Sequence, residues 1–177
     1  MTHTQAYSRP SSDITDGSWV NSASNNTDLF SYIDGASAGS DYISVQHGMG
    51  GSLACEVGLE AVDDPGVNTG HKVTFRASED SDMTAITLVV KLRQDTTTID
   101  TFTENSFGAA ETFEHAISES DAANITDYSA LRLQFTSTDG MGGTTTKVYH
   151  AFPEFPDPDA LILAPVAARA LLLGMFD

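Results

Sequence analysis

Apolar and polar side chains alternate along several short segments of this chain. Successive side chains of a β-strand point to opposite faces of its sheet, so this alternation predicts strands with one buried face. The predicted inward rows are Leu53/Cys55/Val57/Leu59, Val73/Phe75/Ala77, Ile86/Leu88/Val90/Leu92, Phe113/His115/Ile117 and Leu131/Leu133/Phe135. A later strand is predicted over residues 147–152.

Turn-forming residues separate these rows. Clusters of Gly, Asn, Asp and Pro occupy residues 63–66, 68–70, 79–82 and 139–143. Glycine permits positive φ, proline fixes φ, and Asp and Asn bond their own backbone, so each cluster predicts a turn. Short strands with regular turns are typical of an all-β, antiparallel sandwich. No long helix is predicted before residue 160. A single helical turn is predicted that Ser118 or Ser120 would cap, and residues 28–34 fit either another short turn or an edge strand.

The composition is strongly acidic. Eight lysines and arginines stand against 25 aspartates and glutamates, giving the 177-residue chain a formal net charge of −17. Binding to a nucleic-acid backbone, or to anionic lipids, depends on basic side chains. We therefore expect neither a nucleic-acid nor a membrane partner. The first residues lack the basic and apolar regions of a secretory signal peptide, so we expect none.

Motifs that carry catalysis are missing. No nucleophile elbow, P-loop or His-Glu-x-x-His sequence occurs. Asp41, His47 and Ser52 supply the residue types of a triad without a motif that would bring them together. Cys55 is the single cysteine, and its inward position predicts an inert, buried thiol. Glu56 lies on an outward row, where a solvated carboxylate is expected. We therefore expect no enzyme activity, and a hydrolase with a dispersed carboxylate pair is the weakest alternative.

Two kinds of ligand remain open. We expect no cofactor, but acidic loops offer hard oxygen ligands for a structural calcium ion. Those loops contain Asp13, Asp16, Asp63, Asp64, Glu79, Asp80 and Asp82. A carbohydrate-binding surface would need exposed aromatic side chains, and each candidate could equally pack in the core. The candidates are Trp19, Tyr32, Tyr42, Tyr128 and Tyr149.

The C-terminal segment differs from the rest. We predict a β-sandwich domain over residues 1–152, then a proline-punctuated linker and an apolar tail over 153–177. Pro165 and Gly174 fit the start and end of a short helix, apolar around most of its circumference. Such a segment packs into its own domain or inserts into a partner, and we favour the partner. The predicted interface residues are Leu161, Ile162, Leu163, Val166, Leu171, Leu172, Leu173, Met175 and Phe176.

Several sequence stretches carry a resemblance to a known family. These are residues 8–21 (SRPSSDITDGSWVN), 29–34 (LFSYID), 64–77 (DPG…TGHKVTFRA) and 123–135 (ANITDYSALRLQF). Together they resemble a β-sandwich module of minor structural and capsid decoration proteins in tailed phages, over roughly residues 7–152. The resemblance implies a jelly-roll-like sandwich in a virion, made in the host cytoplasm. It implies no catalytic residues.

These observations lead to two main functional hypotheses. The first is a capsid decoration protein on the outer surface of a virion. Its partner would be the major capsid protein or another virion protein, and it would self-assemble, for example as a trimer. The alternative is a carbohydrate-binding, host-adhesion module of a phage tail or fibre protein. The acidic body fits either hypothesis, because both place it in solvent.

Overall fold

A computed structural model describes residues 6–35, 40–48, 50–80, 86–140 and 142–157. Within these ranges the chain forms eleven β-strands, one short 3-10 helix at Leu29–Tyr32 and one α-helical turn, α1, at Glu119–Ala122. The strands are β1 Ala6–Tyr7, β2 Pro10–Thr15, β3 Val20–Asn21, β4 Ile43–Gln46, β5 Gly51–Leu59, β6 Lys72–Asp80, β7 Ile86–Gln94, β8 Thr97–Asn105, β9 Glu111–Ala116, β10 Leu131–Asp139 and β11 Thr145–Phe155.

The strands form two antiparallel sheets. The six-stranded sheet has the order β3-β4-β11-β6-β9, and β1 pairs with the second half of β11. The five-stranded sheet has the order β2-β5-β10-β7-β8. The eight strands from β4 to β11 thus form the two four-stranded layers 4-11-6-9 and 5-10-7-8, which is the strand order of a jelly roll. The predicted antiparallel sandwich with jelly-roll character is confirmed.

The core lies between the two sheets and is built from the predicted inward rows. Ile86, Leu88, Val90 and Leu92 are fully buried, and so are Leu133 and Phe135 on the neighbouring strand. Burial of one such side chain stabilises the fold by roughly 1.5–3 kcal/mol. The opposite row of β7 is only partly buried, so the alternation in the sequence correctly indicates which face of this sheet packs inward.

A segment between β2 and β4 closes one side of the sandwich. The carboxylate of Asp13 accepts hydrogen bonds from the backbone N–H groups of Leu29 and Phe30, both at 2.9 Å, and so fixes the 3-10 helix. Gly17 has φ +52° and approaches the backbone so closely that an added Cβ would lie 1.5 Å from the carbonyl oxygen of Ala54. Only glycine fits this contact.

Two local predictions about connections have different outcomes. Ser118 caps α1 as predicted, because its Oγ accepts from the backbone N–H of Asp121 at 3.1 Å. The segment from Pro153 onward was expected to be a linker, whereas β11 continues to Phe155, whose side chain is fully buried. The first three residues of the expected linker therefore belong to the sheet. No helix in the described ranges is long and apolar enough to cross a membrane.

Candidate functional site

One outer face of the sandwich carries several aromatic rings. It belongs to the six-stranded sheet, and we call it the aromatic face. Its members are Tyr7 on β1, Tyr42 just before β4, Arg76 on β6, and Lys147, Tyr149, His150 and Phe152 on β11. These side chains come from four segments that lie apart in the sequence and are brought together by strand pairing.

A β-bulge in β11 creates the centre of this face. Val148 pairs with Ala77 and His150 pairs with Arg76, so Tyr149 is an extra residue that has no partner on β6. A bulge breaks the strict alternation of a strand and turns two consecutive side chains towards one side. As a result, both Tyr149 and His150 lie on the outer face, next to Arg76.

The rings contact one another in two groups. Tyr42 and Tyr149 pack edge to face with their centroids 5.8 Å apart. His150 stacks on Phe152 at 5.8 Å, and Phe152 packs edge to face against Tyr7 at 5.4 Å. Edge-to-face and offset arrangements are the favourable geometries for aromatic pairs. The rings are therefore held in place by one another. Tyr7 is 47% exposed, Tyr42 and Tyr149 are partly exposed, and His150 and Phe152 are buried.

Two cations lie over the tyrosine pair. The guanidinium carbon of Arg76 is 5.9 Å from the ring centroid of Tyr149, and Lys147 Nζ is 5.1 Å from the centroid of Tyr42. Each contact of this kind stabilises by about 0.5–1 kcal/mol at an accessible site. Tyr149 is further fixed by a hydrogen bond between its hydroxyl and Ser78 Oγ at 3.1 Å.

At the other end of the face, a buried carboxylate is fully engaged. Glu154 accepts a hydrogen bond from Thr74 Oγ1 at 2.8 Å and pairs with Lys72 Nζ at 3.1 Å. Lys72 also lies 3.7 Å from Glu114. Burial acts to lower the pKa of Lys72, but its hydrogen bond to Glu154 and the two negative charges outweigh burial and raise that pKa. This lysine therefore stays charged and is neutralised locally.

Two nitrogens at the centre of the face have unused hydrogen-bonding capacity. Arg76 Nε and His150 Nδ1 are buried, and within the described ranges neither has a hydrogen-bond partner. Burial, with the nearby Arg76 cation, lowers the pKa of His150, so the imidazole is neutral at pH 7. A buried polar atom without a partner is unfavourable, and such atoms next to exposed rings indicate a place where a polar ligand would bind.

The opposite outer face has a different character. The outward rows of β7, β8 and β10 contain residues such as Thr87, Thr101, Thr103, Gln134 and Thr136. No aromatic side chain occurs in these three outward rows. The aromatic side chains on the outside of the sandwich are thus concentrated on one sheet among the residues that the structure describes.

A charged cluster also lies on this second face. Glu56 is only 5% exposed and receives Arg93 Nη1 at 2.7 Å, with Arg132 at 3.9 Å. The expectation that Glu56 is a solvated carboxylate was therefore wrong, because two arginines from neighbouring strands cover it. Arg132 also pairs with Asp95 at 2.8 Å, so two arginines face two carboxylates and the cluster offers little to a ligand.

The aromatic residues predicted for carbohydrate binding divide into two groups. Tyr42 and Tyr149 do lie on the aromatic face. Trp19 is fully buried, packs 6.4 Å from Phe135 and donates from Nε1 to the Leu53 carbonyl at 3.3 Å. Of the two alternatives for Trp19, an exposed platform or a core residue, the structure shows the second, since the indole fills the core.

Two other predicted tyrosines are also set apart from this face. Tyr128 is buried, its hydroxyl is hydrogen-bonded to His71 Nε2 at 2.8 Å, and burial raises its pKa to about 12, with a contribution from Asp64. Tyr32 is partly buried against the core. Neither residue presents an exposed ring on the aromatic face.

Other members of the face were not identified from the sequence. Tyr7, Arg76, His150 and Phe152 were missed as site residues. Tyr7 precedes the first predicted strand, and the bulge at Tyr149 moves His150 and Phe152 onto a face that simple alternation does not assign to them. The only available signal was the density of aromatic residues around 147–152.

The triad residue types do not assemble. His47 Nε2 is 2.9 Å from Ser137 Oγ, which in turn is 2.6 Å from Thr146 Oγ1, and all three side chains are buried. Ser52 Oγ instead bonds Thr138 Oγ1 at 2.7 Å on the surface. The His47 contacts therefore form a structural link between the two sheets rather than the Asp41–His47–Ser52 arrangement.

Two of the acidic loops use carboxylates within the fold, and Asp82 lies outside the described residues. Asp16 accepts from the Gly17 backbone N–H and from Asn26 Nδ2, both at 2.7 Å, and Asp64 accepts from the Gly66 N–H at 2.8 Å. In the part of the chain that the structure describes, no group of three or more His, Cys, Asp or Glu side chains is arranged to hold a metal ion. The predicted interface residues of the tail, from Leu161 to Phe176, lie outside the described residues.

Comparisons with known proteins give similarity in structure only. No protein-family model matches the sequence. No curated protein matches it either. A carbohydrate-binding module of the β-sandwich superfamily is 12% identical, with a TM-score of 0.44, over 84% of this chain and 54% of that one.

Two further solved structures have similar scores. The C-terminal CBM6 module of a laminarinase from the marine Zobellia galactanivorans is 10% identical, with a TM-score of 0.41, over 85% of this chain and 99% of that one. The enzymatically active domain of tailspike protein 4 from bacteriophage CBA120 is 10% identical, with a TM-score of 0.40, over 82% of this chain and 18% of that one. Identities and scores of this size transfer no ligand or activity to this chain.

Proposed function

We propose that this chain is a carbohydrate-binding module that uses the aromatic face to hold a saccharide. The observation that carries the proposal is the set of aromatic rings on one outer face, of which Tyr7, Tyr42 and Tyr149 are partly exposed. Neighbouring side chains hold these rings, and hydrogen-bonding groups lie beside them. The C–H faces of a sugar ring pack against aromatic rings, while its hydroxyl groups need donors and acceptors at the edge of the contact.

The aromatic face supplies both kinds of contact. Tyr42 and Tyr149 provide rings, and Tyr7 extends the apolar surface along the strand direction. Arg76 and His150 offer buried nitrogens that have no partner within the described residues. Rings whose rotamers are fixed by their neighbours lose little side-chain entropy on binding, which favours recognition by a pre-formed surface.

The setting of this module is a further part of the proposal. We place it in a tail or fibre protein of a phage, where it would contribute to adhesion to host glycans, and this placement rests on the sequence resemblance. Weak single-site binding would be multiplied if several copies were presented together, so we include homo-oligomerisation. We propose no enzyme activity, since the described contacts that pair a hydroxyl with an imidazole, Ser137–His47 and Tyr128–His71, are buried within the fold.

The capsid decoration hypothesis draws on a different part of the chain. It depends on the apolar run over residues 160–176, which lies outside the described residues. No described feature favours it over glycan binding, because the aromatic face is rich in groups suited to a polar ligand. Binding to assembled capsids in the absence of any saccharide affinity would favour decoration instead.

A glycan array followed by titration calorimetry tests the proposal. We expect the full chain to bind at least one saccharide class. Tyr149→Ala should weaken that binding about tenfold or more, because it removes a central ring and its contact with Arg76. Thr101→Ala, on the outer face of the other sheet, is the matched control and should leave affinity unchanged. If no saccharide binds, or if both variants have the same effect, the proposed function fails.

A further inference from the structure

Three of the seven lysines and arginines in the described part of this acidic protein are neutralised by carboxylates where they lie. Arg93 and Arg132 both approach Glu56, and Lys72 pairs with Glu154 and Glu114. In a chain with 25 acidic residues and only eight basic ones, such pairing is the expected arrangement.

Arg76 and Lys147 depart from this arrangement. Among the described residues, neither has a carboxylate oxygen within salt-bridge distance, and both lie on the aromatic face over a tyrosine ring. The two tyrosines contact each other at 5.8 Å, so the cations flank one continuous pair of rings. Lys91 and Arg9 also have no such partner, but among the described residues neither lies over an aromatic ring. Lys91 is on the outer face of the other sheet, and Arg9 donates from Nη1 to the backbone carbonyl of Asp34 at 2.7 Å.

The guanidinium of Arg76 has a specific unmet requirement. Its Nε is buried without an acceptor in the described part of the chain, although a buried N–H group is normally hydrogen-bonded. Arginine presents its N–H groups in a planar fork that matches the two oxygens of a carboxylate. Arg76 is partly exposed, so an anionic group placed against the accessible part of its guanidinium would neutralise a cation that has no carboxylate partner among the described residues.

We propose that the saccharide held by the aromatic face is acidic, with a carboxylate-bearing sugar such as a hexuronate bound through Arg76 and Lys147. This inference rests on the proposed function and specifies its ligand class. The tyrosine pair would hold the ring of the sugar, and Arg76 would bind the carboxylate of that sugar. Lys147 would either bind the carboxylate of a neighbouring sugar unit or make a second contact with the carboxylate held by Arg76. The protein as a whole carries a net charge of −17 and would repel an acidic saccharide. The attraction therefore depends on the two cations at the aromatic face alone.

The test uses three sets of soluble oligosaccharides with the full chain in calorimetric titrations. One set carries uronate carboxylates, such as oligogalacturonate, the second is the same backbone with its carboxylates reduced to neutral alcohols, and the third carries sulfate esters on a neutral backbone. We expect the uronate set to bind about tenfold more tightly than its reduced counterpart, the difference that one charge-assisted contact provides.

Charge variants then assign the effect to residues. Arg76→Gln should remove the preference for uronate over its reduced counterpart while leaving weak binding to both. Arg76→Lys should recover part of it, because the charge is kept and the fork is lost. Lys147→Gln should reduce the preference, whereas Lys91→Gln, which removes the same charge from the other sheet, should not.

The outcomes separate this inference from the proposed function. Equal binding of the uronate and reduced oligosaccharides overturns the acidic-ligand inference and leaves the carbohydrate-binding function in place. Binding of the sulfated set alone overturns the assignment to carboxylates. Binding to none of the three sets, together with an empty glycan array, overturns both the inference and the function on which it rests.

Discussion

Arg76 on β6 and His150 on β11 are register partners on the outer face of the six-stranded sheet. Both carry a buried nitrogen, Nε and Nδ1 respectively, that has no hydrogen-bond partner among the described residues. The bulge at Tyr149 produces this juxtaposition, because without the extra residue His150 would lie on the inner side of the strand. The centre of the candidate site is therefore a consequence of one irregularity in strand pairing.

His150 should make the stability of the fold depend on pH. Burial and the Arg76 cation lower its pKa below the ordinary value of 6.5. The unfolded chain therefore binds more protons than the folded one below about pH 6.5. The contribution of the neutral, buried imidazole to the free energy of unfolding is fully present above pH 6.5. It is lost as pH falls towards the lowered pKa of His150 in the folded state.

Chemical denaturation between pH 5 and 7.5 measures this dependence. We expect His150→Gln to flatten the slope of the free energy of unfolding against pH in that window. His71 also has a pKa lowered by burial, opposed by the Thr69 backbone and Asp64, so the slope should fall without vanishing. An unchanged slope in His150→Gln would show that His150 titrates alike in the folded and unfolded chain.

The core row of β10 should dominate stability. Phe135 is fully buried and contacts Trp19 at 6.4 Å between ring centroids. Phe135→Ala should lower the free energy of unfolding by about 3–5 kcal/mol, because it removes a large apolar side chain and leaves a cavity. The neighbouring Thr136 points outward, so Thr136→Ala should change it by no more than about 0.5 kcal/mol. Equal losses in the two variants would contradict the assignment of the inner face.

The prediction of this core from sequence succeeded where alternation is unbroken. Ile86 to Leu92 on β7 and Leu131 to Phe135 on β10 are regular strands, so period two assigns their faces correctly. Strand β8 was not identified, because Ile99 and Phe102 are both buried but three residues apart. The pairing of β7 with β8 shifts between Leu92 and Arg93, and this irregularity removes the periodic signal.

The candidate site could be predicted only in part for a related reason. Tyr42 and Tyr149 were identified as candidates by residue type, but an outer face is assembled from pairing between distant strands, which the sequence does not display. Trp19 lies in a segment rich in Ser, Asn and Asp, which suggests a solvent-exposed loop. It is nonetheless buried, because the loop folds over the end of the core and the indole N–H reaches the Leu53 carbonyl.

Cys55 should be unreactive in the native protein. Its side chain is fully buried, and burial raises the pKa of the thiol well above its ordinary value, with further increases from Asp13 and Asp16. The thiolate is the nucleophile in disulfide exchange, so both accessibility and ionisation oppose reaction. We expect an aromatic disulfide reagent to label Cys55 rapidly in guanidinium chloride and only at the rate of unfolding in native buffer. Immediate stoichiometric labelling of the native chain would contradict the placement of this strand.

Removal of the C-terminal segment should separate the two functional hypotheses. The last described strand ends at Phe155, and every strand pairing described lies before residue 156. Deletion of residues 158–177 should therefore leave the far-ultraviolet circular dichroism of a β-sandwich intact. If the protein binds glycans through the aromatic face, saccharide affinity should stay within about threefold of the full chain.

The same truncated chain tests decoration. If the apolar tail attaches the protein to capsids, truncation should abolish attachment in a co-sedimentation assay. Retention of full capsid occupancy would rule out the tail as the attachment point, and loss of saccharide affinity with an intact fold would contradict the location of the glycan site.

The central claim is that the aromatic face of the six-stranded sheet is the ligand-binding surface. Two-dimensional amide NMR of the isotope-labelled chain, titrated with the best saccharide from the array, tests it most directly. We predict that the largest shift changes cluster on residues 42–46, 72–78 and 147–154, with β7, β8 and β10 nearly unchanged. Shift changes centred on the outward rows of the five-stranded sheet, around Thr101 and Thr136, would contradict the account.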